Sequence, residues 1–427
     1  MRLLKEYLPI LVILFLLGGV YLGYANVWLC VAAFVAALTK LNKDEFVFVM
    51  LMTGAEYFGA VARILVGFTV VPQFLTYLVV LAILYPRIVP LFSQNRMTSY
   101  LFYFLLSMFL VSYLYGPQHA YSNMKLLRIL LYGLLCFWTF LVYNQSEKIN
   151  PQKLAYIFAI VGVTYIVMGV TVYHFGTPAS ILDFSYFGRR SLAGLNDTFT
   201  ISYHSVGMAA LYGVVFLISP KDDKSVFNSK SVLLLFILLF IALVSQMRQG
   251  LLGIMVLLFV RYILLVRGKI EYKVIAISFF IGIVFFILND IQTDAFQSVL
   301  NAKTFEEAVN RPYDKALAIM NQYPYFGLGL GGYSLTGKAS YPHNIFLEVI
   351  TEMGFAGLLV ITITSLYAMK YNRFSWKAIN DNDTYPILFL LAVFIRVNAS
   401  GDLTENIYFF ALLFSMINQQ YMLSEKK

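Results

Sequence analysis

The sequence is poor in charged side chains. Asp, Glu, Lys and Arg make up 12% of the 427 residues, whereas the hydrophobic types make up 60%. A soluble domain has about 45–50% apolar and about 25% charged residues, and so few polar side chains would not cover the surface of a soluble protein of this length. The composition excludes a cytosolic enzyme and a disordered protein. It indicates a chain that is solvated by lipid over most of its length.

Cysteine is also scarce, and basic residues form no long block. Cys30 and Cys136 both lie in apolar runs, which excludes a disulfide scaffold. No cluster of residues has metal-ligand spacing, so we expect neither a metal nor another cofactor. The net charge is +9, but the Lys and Arg residues form small groups between apolar runs. That pattern is typical of the loops of a membrane protein and does not indicate binding to nucleic acid.

The apolar runs predict an all-α integral membrane protein with about 12–14 transmembrane helices, since each span needs about 20 mostly apolar residues. Residues 25–39 form a shorter run, and 46–62 is ambiguous because Glu56 interrupts it. The clear runs lie near 7–24, 66–85, 100–115, 126–143, 155–175, 201–219, 231–247, 250–266, 274–289, 343–368, 384–398 and 405–422.

The distribution of basic residues predicts the orientation. With the N-terminus in the cytoplasm, 19 of the 31 Lys and Arg residues lie on the cytoplasmic side, 11 lie on the outer side, and Arg261 lies inside a span. This excess places both termini in the cytoplasm. The chain then divides into transmembrane helices over 1–289, an outer loop over 290–342, and transmembrane helices over 343–427.

The loop 290–342 is long enough to form a small helical unit. Pro312 suits the first turn of a helix, which would continue through Met320 and end at Pro324. The following run Gly327–Gly332 lacks the Gly-Lys-Ser/Thr of a phosphate loop. We therefore expect a tight packed loop there.

A histidine at the outer face is the first candidate for chemistry. Pro342, His343 and Asn344 begin the apolar run 343–368, so His343 lies at a helix N-terminus. The helix dipole disfavours an imidazolium there, and a neutral imidazole can accept a proton from a sugar hydroxyl. The alternative is an interfacial histidine that only hydrogen-bonds a loop.

Arginines at the outer ends of the spans are the second candidate. Guanidinium groups bind phosphate oxygens in bidentate fashion, and several of them on one face would hold a pyrophosphate. The alternative is that each pairs with a nearby acid or reaches lipid headgroups. We favour Arg248 and Arg311 over Arg189, Arg190 and Arg396.

Three further polar residues interrupt apolar runs. Glu348 and Glu352 are four residues apart and share one helix face. Two carboxylates inside a span face a cavity or a partner, and we favour pairing with arginine over binding of substrate. His204, near the outer end of 201–219, is a candidate cavity-lining residue.

The segment Tyr341–Gly357 resembles the His-Asn-x-x-Leu…Glu-x-Gly…Gly signature of the O-antigen ligase and polymerase superfamily. The run from Arg311 to Pro324-Tyr-Phe-Gly-Leu-Gly resembles that family's loop arginine and glycine turn. Ser245–Gly250 resembles its segment with an arginine after a span, although Met247 stands where a small residue is commoner.

The resemblance implies a multi-pass glycosyltransferase of the bacterial inner membrane that uses a glycan on undecaprenyl pyrophosphate. Arg248 and Arg311 would bind the donor pyrophosphate, and His343 would activate the acceptor hydroxyl at the periplasmic face. The reaction would invert the anomeric carbon and need no metal. Glu352 matches the family glutamate and is carried over as a structural residue, with Asn344 beside it.

Two enzymes share these motifs. A polymerase transfers the chain to another lipid-linked repeat unit, and a ligase transfers it to lipid A-core. We favour the polymerase, with membrane lipid and a chain-length regulator or lipid A-core as further partners. A transporter of lipid-linked glycans is the alternative of another class, but internal repeats and midplane charges, which are usual in transporters, are not evident. A purely structural membrane protein is the remaining option.

Overall fold

The described residues of the computed structural model are mostly helical and contain no strand, which confirms the all-α prediction. The predicted spans 7–24 and 274–289 lie outside the described residues. The described ranges are 25–66, 70–146, 149–173, 203–219, 228–245, 248–261, 313–336, 341–342, 344–371, 385–398 and 402–416.

We number the α-helices of these ranges in chain order. They are α1 (Ala25–Leu38), α2 (Lys43–Val49), α3 (Ala55–Val66), α4 (Val70–Gln94), α5 (Arg96–Tyr115), α6 (Ala120–Gln145), α7 (Pro151–Tyr173), α8 (Tyr203–Ile218), α9 (Ser229–Ser245), α10 (Arg248–Phe259), α11 (Tyr313–Gln322), α12 (Ile345–Tyr371), α13 (Tyr385–Val397) and α14 (Leu403–Ser415). A π-helical turn, Met50–Gly54, joins α2 to α3, and a 3₁₀ turn, Gly332–Thr336, follows α11.

Six described helical segments are long and apolar enough to cross a membrane. Glu56 does not prevent a span, because one of the six contains it. Further apolar helices of 10–17 residues accompany them, and the chain is therefore a multi-pass membrane protein. The six segments are Lys43–Ile64, Val71–Gln94, Arg96–Tyr115, Ala120–Asn144, Pro151–Gly169 and Ile345–Lys370.

The chain divides into two compact units. The first comprises residues 1–80, 147–287 and 382–392. Its described core is built around α8, which packs against α7, α9 and α10. Phe158 of α7 stacks on Phe216 of α8 with ring centroids 5.7 Å apart. Arg261, expected inside a span, is buried, and its Nε donates to the carbonyl of Ile218 at 2.9 Å.

The second unit comprises residues 81–146, 288–381 and 393–427. Its α14 packs along α6 and also contacts α5 and α12. Phe102 of α5 stacks on Phe137 of α6 with ring centroids 4.4 Å apart. At the far end of α6, the Asn144 amide donates to the carbonyl of Ser415 at 2.8 Å. This unit carries the polar features described below.

Helix α12 is broken at Gly354, whose backbone has φ 66° and ψ −171°. The apolar run 343–368 predicted one continuous helix, and the structure corrects that prediction. Two amides after the break have lost their partners within the helix. Those of Phe355 and Ala356 donate instead to the carbonyls of Pro324 and Tyr325, at 2.8 and 3.1 Å.

The carbonyls on the other side of the break are satisfied by the same loop. Thr351 accepts from the amide of Leu328 at 2.8 Å, and Glu352 accepts from that of Gly329 at 2.9 Å. Unsatisfied backbone groups are costly in a membrane, so a broken helix needs partners of this kind. The loop after α11 therefore makes the break in α12 possible.

The loop after α11 can approach the backbone of α12 and of α5 closely because of its glycines. Gly327, Gly329 and Gly331 all have positive φ, between 67° and 81°, which is favourable only for glycine. A Cβ on Gly329 would lie 2.1 Å from the Cα of Gly116 at the end of α5. The tight packed loop expected from the glycine run is therefore present.

Helix α11 and the 3₁₀ turn form a small packed unit. Ala316, Ile319 and Tyr333 make up its buried cluster. The bounds of α11 confirm a helix that continues through Met320 and ends before Pro324.

Substituting Gly354 with alanine should lower the free energy of unfolding by about 1–3 kcal/mol, because this backbone conformation is available almost only to glycine. The new Cβ would also lie 2.2 Å from the backbone carbon and oxygen of Tyr325. Thermal unfolding of the purified protein in detergent measures the change. The control is Gly253→Ala, where the new Cβ meets only the flexible end of Leu211, at 2.9 Å. Equal melting temperatures for the two variants would contradict the prediction.

Candidate functional site

The structure describes only part of the site predicted from the sequence. Arg248 is the first residue of α10, but its side chain lies outside the described atoms. His343, Arg311, Arg189 and Arg190 lie outside the described residues. The convergence of these side chains on one cavity stays a prediction.

Asn344, which follows His343, is the N-cap of α12. Its Oδ1 accepts from two amides of the first turn, each at 3.0 Å, which is the usual function of asparagine at this position. Its Nδ2 donates to the carbonyl and to the Oδ1 of Asn398, both at 3.2 Å. Pro342 lies before this cap and is not part of the first turn of α12.

A buried ionic cluster joins α6 to the first half of α12. The Nζ of Lys125 donates to Glu348 Oε1 and to both carboxylate oxygens of Glu352, the latter at 2.7 and 2.8 Å. All three side chains are fully buried. We call Lys125, Glu348 and Glu352 the lysine cluster. The expected partner was an arginine, whereas the partner in the structure is Lys125.

The lysine cluster has more acid than base. Two carboxylates face one ammonium, whose three N–H groups are all used, and Glu348 Oε2 has no hydrogen-bond partner among the described residues. The negative charge of the lysine cluster also affects Tyr333, which lies in the 3₁₀ turn. Burial, and secondarily the negative charge of Glu348, raise the pKa of Tyr333 to about 12, so its phenol stays protonated at neutral pH.

A second polar cluster lies where α14 begins. Asp402 caps α14 by accepting from the amide of Glu405 at 3.0 Å. It also accepts from the hydroxyl of Thr404 and from the hydroxyl of Tyr121, the latter at 3.0 Å. Asp402 and Thr404 are both buried. The carboxylate therefore ties the start of α14 to the start of α6.

A cavity of about 310 Å³ lies against both clusters. Its wall combines apolar side chains with charged and hydroxyl groups from the first turns of α6 and α14. No pattern in the sequence indicated this cavity, because its polar residues come from two segments that are far apart in the chain, with Tyr121 and Asp402 281 positions apart. Its lining residues are Ala120, Tyr121, Met124, Lys125, Arg128, Asp402 and Thr404.

Two other histidines lie within the described residues. His204 is partly exposed in the first turn of α8. His119 is the N-cap of α6. Its Nδ1 accepts from the amide of Ser122 at 3.1 Å, and its Nε2 lies 3.3 Å from Ser334 Oγ.

These features define an all-α, multi-pass membrane protein with buried charges inside two of its long apolar helices. Residues 233–362 match a family model described as O-Antigen ligase. This match confirms the resemblance and places that segment in the O-antigen ligase and polymerase superfamily. No curated protein matches the chain.

The matched segment contains Arg248, Arg311 and His343, and also the two glutamates of the lysine cluster. Lys125 and the cap residue Asp402 lie outside it. The family supports a function of the O-antigen ligase or polymerase type, carried out by a glycosyltransferase-like membrane protein.

Proposed function

We propose that the protein is a polymerase of O-antigen or another surface polysaccharide. It transfers a glycan from undecaprenyl pyrophosphate to a hydroxyl group of a lipid-linked repeat unit, without a metal. The observation that carries this proposal is the family match over 233–362. That segment holds both favoured arginines and the histidine with its neighbouring cap.

The arginines bind the leaving group in this proposal. Arg248 and Arg311, with Arg189 and Arg190 as further contributors, hold the donor pyrophosphate. Fixed guanidinium groups neutralise the charge that develops on a departing pyrophosphate. They thereby supply the stabilisation for which other glycosyltransferases use a metal ion.

His343 is the general base. The acceptor oxygen forms a bond to the anomeric carbon while the bond from that carbon to the pyrophosphate oxygen breaks, and the hydroxyl proton moves to the imidazole. Attack opposite the leaving group inverts the anomeric carbon. Asn344 supports His343 by beginning α12 directly after it. Glu352 and His204 are auxiliary residues, of which Glu352 belongs to the lysine cluster.

The second candidate is an O-antigen ligase, the activity that the description of the matching family model names. It would use the same donor and base, with lipid A-core as the acceptor. The polymerase instead has a lipid-linked repeat unit as acceptor and a chain-length regulator as candidate partner. For both enzymes we propose the inner membrane, cytoplasmic termini and a site at the periplasmic face.

A gel of surface glycan from a deletion strain separates these functions. Lipid A-core that carries a single repeat identifies a polymerase, and bare core with polymer left on the lipid carrier identifies a ligase. Complementation with the wild-type gene should restore the full ladder. An unchanged ladder in the deletion strain would contradict both functions. The alternative would then be a transporter of lipid-linked glycans.

A further inference from the structure

The cavity beside the lysine cluster combines a mostly apolar lining with a few buried polar side chains. At about 310 Å³ it lies at the lower end of the range of small-molecule sites, roughly 300–1,000 Å³. Three of its polar side chains, those of Lys125, Asp402 and Thr404, belong to buried residues. This space suits a compact group with both polar and apolar surface rather than a folded partner.

The hydroxyl groups of the cavity wall are oriented as acceptors. Tyr121 and Thr404 both donate their hydroxyl protons to Asp402, so their oxygens keep lone pairs for an occupant. All three N–H groups of Lys125 are used within the lysine cluster. Arg128 is exposed at the wall and makes no ion pair with a described residue. An occupant must therefore donate several hydrogen bonds and accept from one guanidinium.

The charges around the cavity nearly cancel. The wall and the lysine cluster behind it hold three carboxylates, those of Asp402, Glu348 and Glu352. They hold two cations, Lys125 and Arg128. Because these charges nearly cancel, the cavity offers no excess of positive charge that would favour a phosphate or a carboxylate over a neutral group. A neutral group that is rich in hydroxyls fits both the hydrogen bonds and the charge.

We infer that this cavity is a subsite for an uncharged sugar residue of the glycan substrate. The sugar hydroxyls donate to the oxygens of Tyr121, Thr404 and Asp402, and a sugar oxygen accepts from Arg128. The inference rests on the proposed function. Lys125 of the cavity wall pairs with Glu348, whose amide donates to the carbonyl of the N-cap residue Asn344 at 2.9 Å.

The test is binding of simple glycosides to the full-length protein in lipid nanodiscs, measured by saturation-transfer NMR. The probes are a methyl hexoside, a methyl N-acetylhexosaminide and a methyl hexuronoside. We expect at least one neutral glycoside to bind and the hexuronoside to bind more weakly. Tyr121→Phe, Thr404→Val and Arg128→Gln should each weaken neutral binding about threefold to tenfold, the effect of losing one hydrogen bond.

Matched control variants, which remove a hydroxyl group outside the cavity, separate the loss of a cavity contact from a general effect of the substitution on the protein. Tyr113→Phe removes a hydroxyl that donates to Asn123 at 2.7 Å, and Thr362→Val removes one that donates to the carbonyl of Leu358 at 2.8 Å. Neither lines the cavity, so both should bind like the wild type. Arg128 is exposed, so its variant should fold even if a variant of a buried residue does not.

The inference is overturned if no neutral glycoside binds, if the hexuronoside binds equally well, or if the controls lose as much affinity as the cavity variants. His343→Ala distinguishes this failure from that of the proposed function, because it should abolish glycan transfer and leave glycoside binding intact. Transfer that survives His343→Ala while binding persists would overturn the proposed function alone.

Discussion

His343→Ala is expected to lower glycan transfer by about 10²–10⁴-fold, the usual contribution of a general base. The variant loses the group that takes the proton from the acceptor hydroxyl. It keeps Asn344, whose side chain caps α12, so the helix should still begin at the same place. The measurement is the glycan ladder of a deletion strain that expresses the variant, with its amount in the membrane determined by immunoblot.

His119→Ala is the matched control for this prediction. His119 also lies at a helix N-terminus, and its Nδ1 caps α6 through the amide of Ser122. Its loss should destabilise the protein by about 1 kcal/mol, as for other caps, and leave transfer nearly unchanged. A normal ladder from His343→Ala, or an equal defect in both variants, would refute the base assignment.

Lys125→Met is expected to destabilise the protein by about 3–5 kcal/mol, because breaking a buried ion pair leaves charges without compensation. In this case two buried carboxylates, Glu348 and Glu352, lose their shared cation. The methionine side chain is similar in length and apolar, so lost volume is not the main cause. Thermal unfolding in detergent and the yield of monodisperse protein measure the effect.

Lys153→Met is the comparison within the same chain. Lys153 pairs with Glu45 at 2.7 Å, but its side chain is 34% exposed, and Glu45 also accepts from the backbone amides of Asn42 and Asn150. Water and these amides remain after the substitution, so Lys153→Met should lower the free energy of unfolding less than Lys125→Met does.

A triple variant tests the electrostatic cause directly. Lys125→Met combined with Glu348→Gln and Glu352→Gln leaves no uncompensated charge at the lysine cluster. It should recover part of the stability that Lys125→Met alone loses, since replacing a whole buried ion pair is often nearly neutral. If the triple variant is no more stable than Lys125→Met, the charge argument is wrong.

The lysine cluster both stabilises the protein and holds the segment of α12 that follows the proposed base. Lys125 lies in α6 and holds the segment of α12 that begins directly after His343. The loop after α11 holds the other end of that segment through the break at Gly354. This short segment of α12 is therefore fixed at both ends, as the preorganisation of a catalytic group requires. The cavity lies on the α6 side of the same cluster.

Much of this protein follows from its sequence. The apolar runs predicted an all-α membrane protein, since backbone groups in lipid must be paired within helices. Pro312, Met320 and Pro324 predicted α11 with nearly its observed bounds, because local start and stop signals act within a few residues. The family signature around His343, Arg311 and Glu352 identified the segment that the family model matches.

Only the tertiary structure decided which charges are paired. The predicted span 126–143 left Lys125 in an outer loop, whereas α6 begins at Ala120 and buries it. Its partners Glu348 and Glu352 are 223 and 227 positions away. No local pattern specifies a pair so far apart, because ion pairs of this kind form only when two helices pack side by side.

The break in α12 has the same origin. Gly354 alone does not end a helix in an apolar run, since an isolated glycine costs only about 1 kcal/mol there. The break forms because a loop from elsewhere in the chain supplies partners for the amides of Phe355 and Ala356 and for the carbonyls of Thr351 and Glu352. The sequence by itself determined the helices and the lipid environment, through hydrophobicity and local capping. The positions of the buried charges, the cavity and the helix break depended on long-range packing, which no window of the sequence contains.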